Sequence, residues 1–281
     1  MKLLCVVLCQ LAFSVGVFAQ APVGNVYEVY AIEYAAANRR AALKDVAVGA
    51  TTGDSTTFSY YVWFLKGDNG RCVLVDTGFL LDSAGASKFM ARYERPDIAL
   101  QRIHVNPGEV TDLIITHPHY DHIGGITLFK NATVWMQRRD YEYFVGGAWQ
   151  PGAKAQGLDK GDVLATVQAN LDGRLRLVAG DSVEILPGIR AFTGSKHAYE
   201  SQDLLIDTGA EKVLLASDDA WFYYNLEKGL SVPLTFDQGA YIRQMRKMKA
   251  LVSDPELVIP GHDELVLAKF PQVARGVVRI R

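Results

Sequence analysis

The chain has 281 residues, 49% of them hydrophobic, 21% charged and 10% aromatic. Disorder needs low hydrophobicity and a large net charge, whereas 29 basic against 31 acidic residues leave a net charge of only −2. The 25 glycines and 10 prolines follow no period, which excludes collagen-like and low-complexity classes. The balanced charge also offers no basic footprint to nucleic acid.

Lys2 is followed by an uncharged, largely apolar run from Leu3 to Ala19. That pattern suits the hydrophobic region of a secretory signal, with Val17 and Ala19 at positions −3 and −1 of a cut before Gln20. At about 16 residues the run is short for a bilayer span. The expectation is a signal peptide over 1–19, a single domain over 20–281, a periplasmic or secreted location and no membrane attachment after cleavage. Cys5 and Cys9 leave with the signal, so Cys72 remains alone and no internal disulfide forms. Cys72 lies in an apolar run and reads as a buried, inert thiol.

Tyr60–Leu65 and Cys72–Val75 read as strands joined by a turn through Asp68-Asn69-Gly70. Residues 82–94 read as a helix stopped by Pro96. Asp112–Thr116 is a short continuous apolar strand of the kind buried on both faces, and Thr133–Gln137 is another. Lys160–Asn170 reads as a helix, and Arg174–Val178 and Ser182–Ile185 as strands. Residues 203–209 and 211–217 read as a second hairpin. Ala240–Val252 is an amphipathic helix with Ile242, Met245, Met248 and Val252 on one stripe. Val73-Leu-Val-Asp-Thr-Gly78 is echoed by Leu204-Leu-Ile-Asp-Thr-Gly209, which suggests two similar β-rich halves.

Three of the six histidines fall within His117-Pro-His-Tyr-Asp-His122, directly after a buried strand, with Gly124-Gly125 allowing close backbone approach. Histidine and aspartate are nitrogen and oxygen ligands suited to zinc or a similar transition metal. Four such ligands at this spacing rarely serve one tetrahedral ion, which points to two metals. His197, Asp218 and His262 follow apolar strands and offer the further ligands. His104 has no motif around it and reads as a loop residue.

His117-x-His119-x-Asp121-His122, followed by His197, Asp218 and Pro260-Gly-His262, resembles the metallo-β-lactamase-fold hydrolase superfamily over most of the chain. The resemblance implies an α/β, four-layer αββα sandwich with metals at one edge of two sheets. It implies that His117, His119 and His197 hold one Zn(2+), that Asp121, His122 and His262 hold a second, and that Asp218 rather than the adjacent Asp219 bridges them. Asp76 then orients ligands from behind. The loop after the third ligand departs from the family, with Ser201 standing where a second histidine is usual.

Block and length resemble the N-acyl homoserine lactonase-like branch. That branch places a tyrosine three residues after the bridging aspartate; here Trp221 holds the position, so Tyr223 or Tyr224 is expected to reach in. The function implied is hydrolysis of a lactone or related ester by a metal-bridging hydroxide, with Asp121 passing a proton to the leaving alkoxide. A β-lactam or thioester (glyoxalase II-like) hydrolase is the alternative, and a non-hydrolytic metal-binding or redox protein a further one. Aromatics in Tyr141–Phe144, at Trp149 and in Trp221–Tyr224 favour an apolar or acyl-bearing small-molecule substrate.

Overall fold

The computed structural model describes residues 25–82, 85 and 88–281. The expected signal segment and its cut before Gln20 lie outside these residues. In chain order the strands are β1 (Tyr27–Ala42), β2 (Ser55–Gly67), β3 (Cys72–Val75), β4 (Met90–Tyr93), β5 (Asp112–Ile114), β6 (Thr133–Gln137) and β7 (Leu175–Val178). There follow β8 (Val183–Leu186), β9 (Ile189–Thr193), β10 (Gln202–Asp207), β11 (Lys212–Ser217), β12 (Val258–Pro260), β13 (Gln272–Ala274) and β14 (Val277–Arg279).

They make two sheets among the described residues. The larger has nine strands in the order β13-β14-β1-β2-β3-β5-β6-β7, with β4 beside β1; the smaller runs β12-β11-β10-β9-β8. The β2–β3 hairpin opposes Trp63 to Val75 and Lys66 to Cys72, as the turn residues predict. The strands β3, β5, β6 and β7 are parallel, and so are β11 and β12. Parallel strands are covered on both faces, hence the unbroken apolar runs Val73–Val75 and Leu113–Ile115, each residue fully buried.

One apolar core lies between the sheets, joining Val29, Trp63, Val75 and Ile114 of the larger to Ala191, Leu204, Leu215 and Ile259 of the smaller. A second core packs Phe64, Leu74 and Val134 on the outer face of the large sheet against Ala99, Ile123, Phe144 and Ala169. A third packs Leu205, Leu214 and Val258 under Tyr241, Met245 and Met248 of the helix Gln238–Leu251. The layers therefore run helix, sheet, sheet, helix. The helix Lys160–Leu171 begins at Asp159, whose carboxylate accepts from the Gly161 and Asp162 amides, a local start signal of the expected type.

Two expectations change. Residues 90–93 are not helical but pair as β4 with β1, Ala35 opposite Tyr93; local helix propensity yields to a ladder offered by a strand some 55 residues upstream. The second copy of the echo forms the β10–β11 hairpin. Asp207 pairs with Lys212 at the closed end of the β10–β11 hairpin, and Ser217 lies at the opposite end of β11. Cys72 is half-buried at the start of its strand rather than enclosed, and burial raises its thiol pKa. No helix among the described residues is long and apolar enough to cross a membrane.

Candidate metal centre

The site forms at the carboxyl ends of β3, β5, β11 and β12, where open α/β sheets leave a crevice. Asp76 follows β3, with a left-handed φ of 60°; Ser217 ends β11 with φ 47°. Such backbone in non-glycine residues is uncommon, and here it turns each chain off its strand just before a functional side chain. The turn carrying His122 is pressed onto the loop after β3, where the Thr77 amide donates to the His122 carbonyl at 2.6 Å. Only glycine fits at 125, since a Cβ there would lie 2.1 Å from the Thr77 carbonyl oxygen.

Seven side chains converge in two groups, and in each the potential ligand atoms lie within 4.8 Å of one another. His117, His119, His197 and Asp218 form the first, all buried; Asp121, His122 and His262 form the second. His119 Nδ1 is 3.0 Å from His117 Nε2 and 3.1 Å from His197 Nε2. Asp218 divides its two oxygens between the groups. Its Oδ2 is 3.1 Å from His197 Nε2 and 3.8 Å from His117 Nε2, and its Oδ1 is 2.9 Å from His262 Nε2 and 3.2 Å from His122 Nε2. Asp121 Oδ2 stands 3.7 Å from both His122 and His262.

Zinc at about 2.0–2.1 Å from tetrahedral ligands sets neighbouring donors roughly 3.3 Å apart, the scale seen here. His122 Nε2 and Asp218 Oδ1 are buried 3.2 Å apart without a well-directed hydrogen bond. Polar atoms are rarely left so, and a shared cation satisfies both. The residues present therefore fit a pair of metal ions.

Supporting contacts fix each ring. His122 Nδ1 is 2.8 Å from Asp76 Oδ2, and His262 Nδ1 is 3.0 Å from the Ser59 carbonyl. Either contact leaves Nε2 facing the centre. Asp76 also accepts from the Thr116 amide at 2.8 Å and from the Ser217 hydroxyl at 3.2 Å. Asp219 points the other way. Ser195 donates to its carboxylate, Ser195 and Ser201 hydroxyls lie 2.9 Å apart, and the His197 amide donates to Ser195 at 3.1 Å. Hydroxyls thus close the loop that carries His197, and Ser201 takes part in place of the histidine that the resemblance led one to expect.

The electrostatics differ between the groups. Burial, reinforced by neighbouring imidazoles, holds His117 and His119 well below the ordinary histidine pKa, so both stay neutral as ligands must. Burial opposes charge at His122 and His262 too, but Asp218 and Asp121 outweigh it and raise both. Burial alone would raise Asp218; His262, His122 and His197 instead hold it well below the usual carboxylate range. The second group is acid-rich and calls for positive charge.

The structure does not bring Tyr223 or Tyr224 to this centre. The Tyr223 hydroxyl is buried without a partner, its ring lies under the Lys269 ammonium at 4.7 Å, and it packs with the core between the sheets. Tyr224 packs with Leu43, Val46 and Phe222. The helix starting at Tyr223 carries both away from the strand end. Trp221 does reach in, its indole N–H donating to Asp218 Oδ2 at 2.7 Å. Sequence reasoning missed Phe58 and Tyr60, two apart on β2 and so on one face. Their rings lie 5.3 and 5.2 Å from that of His262. The apolar run was legible; its passage beside His262 is a tertiary fact.

A cleft of about 390 Å³ opens beside His119 and His197, lined by Ala153, Ala155, Pro233, Leu234 and Phe236 together with Lys154 and Gln156. Of the aromatics expected at the rim, Tyr143 stacks on Tyr199 at 4.4 Å with Phe236 edge-on at 5.6 Å, whereas Phe144 is core and Trp149 bonds its carbonyl. A larger cavity of about 840 Å³ has none of the clustered histidines in its lining, and its Arg92 and Arg102 are matched by Glu33 and Glu94. His104 is an exposed loop residue, as expected.

Comparison with known proteins gives this geometry its place. An N-acyl homoserine lactonase from Bacillus cereus is 26% identical over 229 residues, covering 76% of this chain and 84% of that one. A crystal structure of a quorum-quenching N-acyl homoserine lactone lactonase matches with a TM-score of 0.67 at 25% identity, over 85% of this chain and 93% of the other. AidC, a dizinc quorum-quenching lactonase in complex with its product N-hexanoyl-L-homoserine, shares the fold at 13% identity, with a TM-score of 0.65 over 85% and 90%. These neighbours carry the name of the branch that the sequence resembles. The model of the metallo-beta-lactamase superfamily matches residues 52–262, and the chain belongs to that superfamily.

Proposed function

We propose that the chain is a two-zinc hydrolase that opens a lactone bearing an apolar acyl arm. The observation that carries the reading is the pair of donor groups sharing Asp218, one oxygen to each. His117, His119 and His197 would hold one ion, Asp121, His122 and His262 the other, and Asp218 both. When bound, such a pair supplies an activated water and polarises a carbonyl. The chain's own residues do the rest. Asp76 and the Ser59 carbonyl orient His122 and His262. Trp221 fixes Asp218. Asp121, its side chain 12% exposed and its Oδ2 3.7 Å from His262, would hand a proton to the leaving alkoxide. The Ala153, Leu234 and Phe236 side of the cleft suits an acyl chain. The naming of the relatives supports the lactone as substrate class.

The test is a substrate panel on zinc-loaded protein: acyl homoserine lactones of several chain lengths, simple lactones, β-lactams and a thioester. Lactone opening that chelation abolishes and zinc restores is the expected result. Turnover of a β-lactam or thioester with no lactone opening overturns the reading. We also propose export with cleavage before Gln20, supported by the Leu3–Ala19 run. N-terminal sequencing from the native host decides it, and a chain starting at Met1 in the cytosol refutes it.

A further inference from the structure

We propose that Tyr60 is a catalytic residue whose hydroxyl hydrogen-bonds the substrate's reacting carbonyl oxygen. The inference rests on the lactone reading above and names a residue from a different element than the loop on which the branch carries its phenol. The loop position is Trp221, and its N–H is already committed to Asp218. Tyr223 and Tyr224 pack elsewhere. Tyr34 is buried with its hydroxyl donated to the Asp121 carbonyl at 3.2 Å, so it is spoken for. Tyr120 is 45% exposed, a rim residue that packs on Phe79 rather than on a centre histidine.

Tyr60 alone combines position, restraint and a free hydroxyl. Its ring stands edge-on to His262 at 5.2 Å with planes at 72°. Phe79 clamps it at 5.1 Å and 87°, with Phe58 at 6.4 Å and Tyr34 at 6.3 Å behind. Two-χ aromatic side chains packed this way lose little further entropy when a ligand arrives. The hydroxyl has no hydrogen-bond partner among the described residues, and the residue is partly exposed. A phenol ordinarily titrates at about pH 10, so at neutral pH this hydroxyl keeps its proton and acts as a donor. A donor aimed where an oxyanion develops is worth about 100-fold or more in rate. Backbone holds Tyr60 beside the centre: the Ser59 amide donates to the His262 carbonyl at 3.0 Å, tying β2 to the His262 turn.

The experiment compares zinc-loaded wild type, Tyr60→Phe and Tyr223→Phe. Removing a hydroxyl without a protein partner leaves the fold intact, so Tyr60→Phe should keep wild-type zinc content and melting temperature. Its kcat on the best lactone should fall about 100-fold with KM nearly unchanged. Calorimetry should show its affinity for N-hexanoyl-L-homoserine falling about 10-fold, as expected for one hydrogen bond to a charged group. Tyr223→Phe should match wild type throughout. If wild type opens no lactone, the parent reading falls and this one with it. If wild type is active while Tyr60→Phe equals it in kcat and product affinity, the Tyr60 assignment alone is overturned.

Discussion

Replacing Asp76 by Asn tests whether the second donor group depends on the tautomer set from behind it. The carboxylate has four partners: the Thr116 amide at 2.8 Å, the Thr116 hydroxyl at 2.8 Å, His122 Nδ1 at 2.8 Å and the Ser217 hydroxyl at 3.2 Å. An asparagine has one acceptor oxygen. If that oxygen stays on the buried Thr116 amide, the NH₂ faces His122 Nδ1 and must donate to it. The imidazole proton then moves to Nε2, the atom 3.2 Å from Asp218 that a metal would use. If the amide flips, the Thr116 N–H is orphaned at a cost of about 1–3 kcal/mol. Either outcome matches the roughly 10–100-fold loss of metal affinity typical of supporting-residue changes, about 1.4–2.7 kcal/mol. Asparagine tolerates the left-handed φ of 60°, so backbone strain does not confuse the result. Competition against a chromogenic zinc chelator should show one equivalent weakened by that factor, with the other little changed. Two equivalents bound at wild-type affinity would refute the reasoning.

Asp218→Ala should lose zinc and activity together, while Asp219→Asn should retain zinc; metal analysis showing the reverse makes Asp219 the bridge. Gly157→Ala should weaken zinc binding about 10-fold or more, because its φ of 79° and a Cβ 2.7 Å from the His119 ring force that ligand to move; unchanged metal content would rule this out. Trp221→Phe should abolish most of the change in tryptophan emission that follows chelation, since only that indole touches a centre residue; an undiminished change assigns it to another tryptophan. Burial pushes the Asp140 carboxyl up to about 7. The unfolded chain releases this proton near pH 4, so stability falls as pH rises from about 4 to about 7 and is flat beyond, by at most about 4 kcal/mol. Asp140→Asn keeps the acceptor for the Glu200 amide and should melt higher than wild type at pH 8 but not at pH 4; equal melting at both values contradicts this.

What the sequence makes legible follows the range of the forces involved. Asp68-Asn69-Gly70 places the β2–β3 hairpin because a turn is a local event, and Thr133–Gln137 stands as a strand between its predicted ends. The histidines were legible because their chemistry is intrinsic to the residue and their spacing is short. β1 was not: its Ala-rich stretch from Ala31 to Ala42 has no strand period, and it is held extended by pairing with β2, β4 and β14. The same non-local pairing overrides helix propensity at Met90–Tyr93. The tyrosines fail for a related reason. Chain proximity to Asp218 suggested Tyr223 and Tyr224, whereas the ring beside His262 comes from residue 60, about 200 positions away.

Neither sheet holds a complete donor group. His117, His119, Asp121 and His122 follow β5 of the larger sheet; His197, Asp218 and His262 follow β9, β11 and β12 of the smaller. A cation in either place is therefore a clasp between the sheets, and separating them means giving it up. By mass action each clasp adds RT ln(1 + [L]/Kd), about 4.1 kcal/mol when free metal is 1,000-fold above Kd. The protein's resistance to unfolding is then a function of its surroundings as much as of its sequence. On the proposal of a bound zinc pair, it is greatest where zinc is plentiful and falls, with no change in any residue, wherever a competing chelator holds the free metal down.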